Sequence, residues 1–388
     1  MKVAPGQWLG VLGAGQLGRM FCQSAQAMGY RVLVLDPEAQ APAVDVADDH
    51  LVAAYDDAQA LGEMAKRCLA VTTEFENVPA RSLELLSRRT RVTPGAAAVG
   101  PAQDRCLEKR FIDSVGVPVG PYADIAKASD VAAAPDHLFP GILKVARLGY
   151  DGKGQYRVAN REQAQQAFSD AQEVPCILEA ELDLAYELSV VMARNAEGEH
   201  VTYPVARNIH HDGILAVTHV DGCVDDVTVA AQKAAVQIAQ GLGYHGVMCV
   251  EFFVLRDGSL IANEIAPRPH NSGHFSMNAC VTSQFEQQAR VMAGLPLGDT
   301  RLLAPSVMLN LLGDTWLASD ASEPVEPDWS AVLAKSGTSL HLYGKRQARI
   351  GRKMGHINIT AERFEDAVSV ANEVVSLLKL PVKALVTP

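Results

Sequence analysis

The segment from Val247 to Ile265 admits few folds. Val247-Met248-Cys249-Val250-Glu251-Phe252-Phe253-Val254-Leu255 and Leu260-Ile261-Ala262-Asn263-Glu264-Ile265 are apolar, β-rich runs, and Asp257-Gly258 between them is a strong hairpin turn. With Asp257 and Gly258 at the tip, Arg256 pairs with Ser259, Phe252 with Asn263 and Glu251 with Glu264. Directly opposed residues carry Cβ atoms roughly 4.5–5.5 Å apart. Two carboxylates that close, in strands otherwise apolar, repel each other unless a cation lies between them. Oxygen ligands suit Mg²⁺, which takes one or two carboxylates and completes its shell with substrate phosphates. Asn263 points to the other face of an ideal strand and needs a local bend to join the pair.

A chain of 388 residues exceeds what one core usually serves and points to two or three domains. In the first hundred residues strands alternate with helices: strands at Trp8–Gly13, Arg31–Asp36 and Ala70–Thr73, helices at Gln16–Met28, Asp57–Arg67 and Arg81–Arg88. That order predicts βαβ units and a parallel sheet. Pro94, Gly95, Gly100 and Pro101 mark a boundary, so domain one is expected over 1–101. Residues 102–294 predict an α+β domain: a helix at Gln103–Val115, strands at Ile142–Ala146, Cys176–Ala180, Glu187–Arg194, Val201–Asn208 and Ile214–Val220, a helix at Thr228–Leu242, the hairpin, and a helix at Ser276–Met292. A small β-rich domain is expected over 295–388, with strands at Ser306–Leu312, Ser339–Tyr343 and His356–Thr360 and a last helix at Ala361–Leu378.

There are 34 Lys and Arg against 45 Asp and Glu, a net charge of −11. That excess of acid disfavours a non-specific nucleic-acid binder, which needs cations to displace counterions. No run approaches the ~18 apolar residues of a membrane span, and the start of the chain lacks a secretory apolar core. The seven cysteines form no C-x-x-C pair, which speaks against a zinc site or disulfide framework and for a reducing cytoplasm.

Two glycine loops differ in kind. Gly13-Ala14-Gly15-Gln16-Leu17-Gly18 joins a strand to a helix, and Asp36 ends the next strand, a pattern that by itself also fits an NAD-dependent oxidoreductase. Gly149-Tyr150-Asp151-Gly152-Lys153-Gly154-Gln155 lies between two strands, so it must meet anions through loop N–H groups and Lys153 and is placed to fold over phosphates as a lid. Lys144, amid Ile142, Leu143, Val145 and Ala146, is costly to bury without a negative partner, which a triphosphate supplies. Directly after Glu264, Arg268, His270, Asn271, Ser272 and His274 crowd a loop stiffened by Pro267 and Pro269. Gly344 to His356 gathers Lys345, Arg346, Arg349, Arg352 and Lys353, a set suited to a phosphate ester.

Taken in order along nearly the whole chain, these motifs resemble the ATP-grasp superfamily. Within it they resemble the N5-carboxyaminoimidazole ribonucleotide synthetases, the ATPase subunit of phosphoribosylaminoimidazole carboxylase. Asn208-Ile209-His210-His211-Asp212-Gly213-Ile214 and Gly351-Arg352-Lys353-Met354-Gly355-His356 belong to the same resemblance. It implies a biotin-carboxylase-like first domain, a central ATP-grasp domain with a lid subdomain at about 118–182, and a homodimer. It implies ATP contacts from Arg105, Lys144, Gly149 to Gln155, Glu179, Ala180, Glu181, Leu182, Glu187, His210, Asn263 and Glu264. Mg²⁺ would be held by Glu251 and Glu264. The ribonucleotide would meet Gly15, Gln16, Leu17, Glu74, Asn271, Ser272, Lys345, Arg352 and Lys353. Catalytic roles would fall to Asp151, Lys153, Arg268 and His270. The implied reaction joins bicarbonate to 5-aminoimidazole ribonucleotide with ATP, through carboxyphosphate. The alternatives are a sister ATP-grasp ligase that activates formate or another carboxylate, the oxidoreductase above, and a non-catalytic nucleotide binder. The oxidoreductase reading leaves the acidic pair and the second glycine loop without a use.

Overall fold

The computed structural model describes residues 2–149, 154–317 and 324–382. Tyr150, Asp151, Gly152 and Lys153, to which the sequence assigns the lid tip and two catalytic roles, lie outside the described residues.

The first sheet comprises β1 (Trp8–Leu12), β2 (Arg31–Leu35), β3 (Asp49–Leu51), β4 (Cys68–Thr73) and β5 (Arg91–Val92), all parallel, in the order β3-β2-β1-β4-β5. Leu9, Val11, Leu12, Val32, Val34 and Leu35 are fully enclosed, as expected of strands covered on both faces. The short edge strands β3 and β5 are not among the sequence expectations. Asp49, His50 and Arg91 give them no apolar run to read. The strand order reverses at β1 and β4, and the chain segments leaving these two strands form the crevice where such sheets bind ligands.

A four-stranded antiparallel sheet follows, made of β6 (Tyr122–Ile125), β7 (Gly141–Val145), β8 (Gln155–Val158) and β9 (Cys176–Ala180), in the order β6-β9-β7-β8. Its core is Ile125, Val131, Leu138, Leu143, Ala164, Phe168 and Leu178, with the helix Arg161–Asp170 laid across it.

The largest sheet holds β10 (Leu184–Arg194), β11 (His200–Thr202), β12 (Ala206–His211), β13 (Ile214–Val220), β14 (Gly246–Leu255), β15 (Leu260–Ala266), β16 (Ser306–Leu312), β17 (Thr338–Leu342) and β18 (Lys353–Thr360). Its path is β15-β14-β10-β12-β13-β16-β18-β17, with β11 on β10. Among the described residues the β-rich C-terminal region therefore builds no sheet of its own; β16 pairs antiparallel with β13 and continues the central sheet.

Two expectations are corrected. The strand Val201–Asn208 is two strands, β11 and β12, because Pro204 lacks the N–H a ladder needs. The helix Ser276–Met292 is two helices, Ser276–Ala279 and Gln284–Ala293. Cys280 between them is extended and bridges Leu302, and Ser283 starts the second helix by accepting the Glu286 N–H at 3.1 Å. That second helix locks the sheets together. Gln288 accepts the Val247 N–H at 2.6 Å and donates to Thr72 Oγ1 at 3.0 Å and to the Thr93 carbonyl at 3.1 Å.

Candidate active site

The hairpin places Glu251 opposite Glu264 by a route other than the simple count. Its loop has three residues, not two: Leu255 donates to the Ser259 carbonyl, Gly258 donates to the Leu255 carbonyl, and Gly258 takes φ +86°. That slides β15 by one residue, so Phe252 faces Ala262 rather than Asn263. A bulge between Glu251 and Phe252 slides it back, and Glu251 meets Glu264. Asn263 is the extra residue, and the bulge is the bend it needed to join the cleft.

The helix Arg105–Ser114 holds this bulge. Asp104 caps its start, accepting the Cys106 and Leu107 N–H groups at 3.1 and 3.2 Å. Lys109 Nζ donates to the Asn263 carbonyl at 2.9 Å, and Glu108 Oε1 accepts the Ile265 N–H at 2.7 Å. Glu264 is thus gripped on both sides by neighbours on one helix, while Arg105 Nη1 lies 3.0 Å from its Oε2. Neither Glu108 nor Lys109 is among the sequence candidates. Their signal was the i, i+3, i+4 spacing of Arg105, Glu108 and Lys109, which sets all three on one helix face.

The electrostatics follow from burial. Burial, then the facing Glu264, push the Glu251 carboxyl up to about 7. The same two causes lift Glu108 to about 8. Glu179 goes the other way: burial opposes its charge, but Lys109 at 3.6 Å and Lys144 at 3.0 Å hold it down to about 2. Lys144 therefore has a carboxylate partner within the fold. Glu179 is its counter-ion, not a side chain left over for a base. Glu181 pairs with Arg157, and the Ala180 and Glu181 N–H groups go to the Pro121 and Pro140 carbonyls. A base seated along Glu179, Ala180, Glu181 and Leu182 would meet other groups than those two amides.

A cleft of about 320 Å³ brings together Arg105, Lys144, Gly149, Gln155, Glu187, His210, Glu251, Asn263, Glu264, Arg268, His270, Asn271 and Lys353. His210 Nδ1 sits 2.8 Å from Glu187 Oε2 without good hydrogen-bond alignment. Burial opposes its charge, yet Glu187, Glu251 and Glu264 raise its pKa on balance. Arg268 is half-buried and pairs with Glu76 at 2.7 Å, which ties the β15 loop to the segment after β4. The Asn271 amide is buried with neither its nitrogen nor its oxygen bonded to any described residue, as expected of a side chain aimed at a ligand.

The first glycine turn is already filled. Glu74, leaving β4, accepts the N–H of Gly15 and, at 2.6 Å, that of Gly18. Asp36 accepts the Ala14 N–H at 2.8 Å and the Tyr55 hydroxyl at 2.7 Å. The protein's own carboxylate occupies the helix terminus where a dinucleotide pyrophosphate would bind, and Asp36 is committed to the fold. The oxidoreductase reading fails on this geometry. The Gly15 and Gly18 N–H groups are taken up by Glu74, and Leu17 is buried. Gly13 has φ +103°, and a Cβ there would lie 2.4 Å from Glu74 Cγ. Gly13→Ala should therefore cost about 2–3 kcal/mol, read from urea melts, by combining left-handed strain with a displaced Glu74.

Among the C-terminal cations, Lys353 lines the cleft. Lys345 donates to the Lys353 carbonyl at 2.7 Å and lies near enough to Glu74 to favour its charge. Arg352 donates to the Gln347 carbonyl at 2.8 Å. Ser272 lies behind His270, fully buried.

Comparison with known proteins agrees with this architecture. Family models match over 7–103 (ribonucleotide synthetase preATP-grasp domain), 110–285 (ATP-grasp domain) and 306–369 (phosphoribosylaminoimidazole carboxylase C-terminal domain). The N5-carboxyaminoimidazole ribonucleotide synthase of Brucella melitensis is 44% identical over 360 residues, 92% of this chain and 97% of that one. The Bacillus subtilis enzyme of that name is 41% identical over 92% of each chain. An ADP complex of an N5-carboxyaminoimidazole ribonucleotide synthetase superposes with TM-score 0.90 at 37% identity, covering 97% of this chain and 98% of that one. The Aspergillus clavatus enzyme in complex with ADP and 5-aminoimidazole ribonucleotide superposes with TM-score 0.87 at 28% identity, covering 96% and 99%. With the acidic hairpin, the lysine-lined cleft and a fold shared from end to end, the chain belongs to the N5-carboxyaminoimidazole ribonucleotide synthase family of ATP-grasp ligases.

Proposed function

We propose that this one cleft serves both halves of a two-stage carboxylation. The chain is an ATP-dependent carbon–nitrogen ligase of purine biosynthesis that carboxylates 5-aminoimidazole ribonucleotide with bicarbonate and releases ADP and phosphate. The observation that carries the residue-level reading is the facing pair Glu251 and Glu264 in a cleft that also holds Lys144, Arg105, Lys353 and the unbonded Asn271 amide. Two carboxylates, one of them pushed up to about 7 by burial and by the charge of the other, fit the donor set of a Mg²⁺ ion that shares its shell with phosphates. When bound, Mg²⁺ would neutralise charge on the polyphosphate during phosphoryl transfer.

The chain's own groups do the rest. Arg105 and Lys144 bind ATP phosphates, and Glu187 with His210 meets the ribose end. Bicarbonate oxygen attacks the γ-phosphorus, the bond to ADP breaks, and carboxyphosphate forms. The exocyclic amine then attacks the carboxyl carbon, phosphate leaves, and the amine gives up one proton. Arg268, His270 and Asn271 orient the carboxyl group and the imidazole. Asp151 and Lys153 serve the amine. Lys345, Arg352 and Lys353 hold the 5′-phosphate, and Glu74 reaches the ribonucleotide from the filled glycine turn. Little covalent chemistry falls to the protein; positioning, charge and exclusion of water carry the rate.

ADP release with Mg²⁺, ATP and bicarbonate should rise sharply on addition of aminoimidazole ribonucleotide; release that ignores that substrate would overturn the reading. Lys353→Met should raise KM for the ribonucleotide about tenfold to a hundredfold and leave KM for ATP within twofold, the loss of one charged phosphate contact. The opposite pattern moves the phosphate pocket elsewhere. Among the described residues no helix is long and apolar enough to cross a membrane. A cytoplasmic homodimer, with domain boundaries at 101 and 294, completes the proposal. Light scattering tests the dimer.

A further inference from the structure

Behind His270 runs a line of buried polar side chains to which the carboxylation reading gives no part. The Thr218 hydroxyl donates to Asn208 Oδ1 at 3.0 Å, and the Asn208 amide donates to Ser189 Oγ at 2.9 Å. The Ser189 hydroxyl donates to Ser272 Oγ at 2.7 Å, and Ser272 Oγ lies 2.8 Å from His270 Nδ1. Thr218, Ser189 and Ser272 are wholly enclosed, and Asn208 nearly so. The line crosses the adjacent strands β13, β12 and β10, then steps up to the loop after β15.

Proton counting gives the line one direction. The Ser272 main-chain N–H also points at His270 Nδ1, at 3.3 Å, and an amide N–H can only donate. Nδ1 is therefore an acceptor. The single Ser272 hydroxyl proton goes to it, so Ser272 Oγ must receive the proton of Ser189. Cys249 Sγ, 3.9 Å from Ser272 Oγ, is at most a second weak donor there. Ser189 in turn receives the Asn208 amide, which turns the Asn208 oxygen toward Thr218. A neutral imidazole has one N–H, and it is left on Nε2, 3.3 Å from Glu251 Oε1. The reverse order would set a lone pair of Nε2 against that carboxylate.

We infer that Thr218, Asn208 and Ser189 are positioning residues: their one-way relay keeps the Ser272 hydroxyl turned to Nδ1, where together with the Ser272 main-chain N–H it holds His270 as the Nε2–H tautomer. His270 then meets the reaction as a neutral hydrogen-bond donor, toward Glu251 and the oxygens of the bicarbonate-derived group, and not as a base at Nε2. The use of that donor rests on the carboxylation reading; the tautomer does not.

The test is long-range ¹H–¹⁵N correlation of the full chain labelled at histidine, with the His270 signals identified by their loss in His270→Gln. The wild-type protein should show the Nε2–H tautomer alone. Ser189→Ala frees the Ser272 hydroxyl to turn away from Nδ1 and leaves the longer main-chain N–H contact at 3.3 Å as the remaining donor there, so an Nδ1–H population should appear beside the Nε2–H form. In the same variant kcat should fall about tenfold while KM for ATP stays within twofold, the usual scale for an orienting partner. Thr218→Val, nearly isosteric at the far end, releases Asn208 to flip and should produce a smaller shift the same way; it carries the test if Ser189→Ala does not fold. An Nδ1–H tautomer in the wild type overturns the inference. So does an unchanged tautomer in the variant that folds, or a changed tautomer with unchanged kcat. Wild-type ADP release indifferent to aminoimidazole ribonucleotide would instead overturn the carboxylation reading and leave the tautomer result standing.

Discussion

Glu251→Gln should inactivate the protein and, in the absence of metal, stabilise it. The two effects have one cause. Glu251 is buried and faces the partly exposed Glu264, and burial with that neighbour raises its carboxyl from an ordinary 4.5 to about 7. Its proton is held more tightly in the folded than in the unfolded chain. Stability without metal is therefore full below about pH 4.5 and declines as pH rises to about 7, beyond which both states are ionised. At about 1.4 kcal/mol per pH unit this amounts to roughly 3–4 kcal/mol by pH 8. An amide has no such ionisation to lose, and it keeps an oxygen for the His270 N–H. Urea melts in chelator at pH 5 and pH 8 should show the wild-type protein losing stability between them and the variant losing less, so that Glu251→Gln is the more stable protein at pH 8. Turnover should fall about 10²–10³-fold, since half of the anionic Mg²⁺ donor set is gone. A variant less stable than wild type at pH 8, or active within tenfold, would show that the pair is not an ion site held under repulsion.

Lys144→Met should do the reverse and lower stability and ATP binding together. Lys144 is buried, 3.0 Å from Glu179, and Lys109 is a more distant partner at 3.6 Å. Removing one member of a buried pair strands the other; with Lys109 remaining, the loss should lie near 3 kcal/mol. Glu179 sets the pH window. Its carboxyl is depressed to about 2, so its contribution is present above about pH 4.5 and vanishes as pH falls toward 2. The gap between wild type and Lys144→Met should accordingly narrow over that acid range. KM for ATP should rise about tenfold to a hundredfold, the worth of one charged hydrogen bond. The double variant Lys144→Met with Glu179→Leu separates the two roles: stability should return in part, because Glu179 is no longer stranded although Lys109 loses its carboxylate partner, while KM for ATP stays high. Recovery of both would mean that Lys144 serves the fold alone.

The strands Cys176–Ala180, Ile214–Val220 and Ser306–Leu312 were legible to the residue, because each is an apolar run bounded by polar or turn-forming neighbours. Elements with little apolar signal, such as β3 and β5, were not. Pro204 and Ser283 each broke an element that hydrophobic pattern alone had joined, one by lacking an N–H and the other by supplying a cap. The opposition of Glu251 and Glu264 emerges from the count of residues, yet through two slips that cancel. The Arg256-Asp257-Gly258 loop moves the register by one, and the bulge at Asn263 moves it back. A side-chain period of two makes either slip alone enough to turn the acidic pair apart.

Chain order and chemistry by themselves determined the parallel first sheet, the antiparallel hairpin, the acidic pair and the cationic segments, since alternation, turn residues and charge are local properties. Only the tertiary structure decided that Glu74 fills the glycine turn, that Glu179 answers Lys144, that Glu108 and Lys109 clamp the bulge, and that a relay from Thr218 ends on His270. Each of these depends on residues far apart in the chain meeting at one place. The free energy of a buried charge or hydroxyl is set by what encloses it, which neighbours along the chain do not specify.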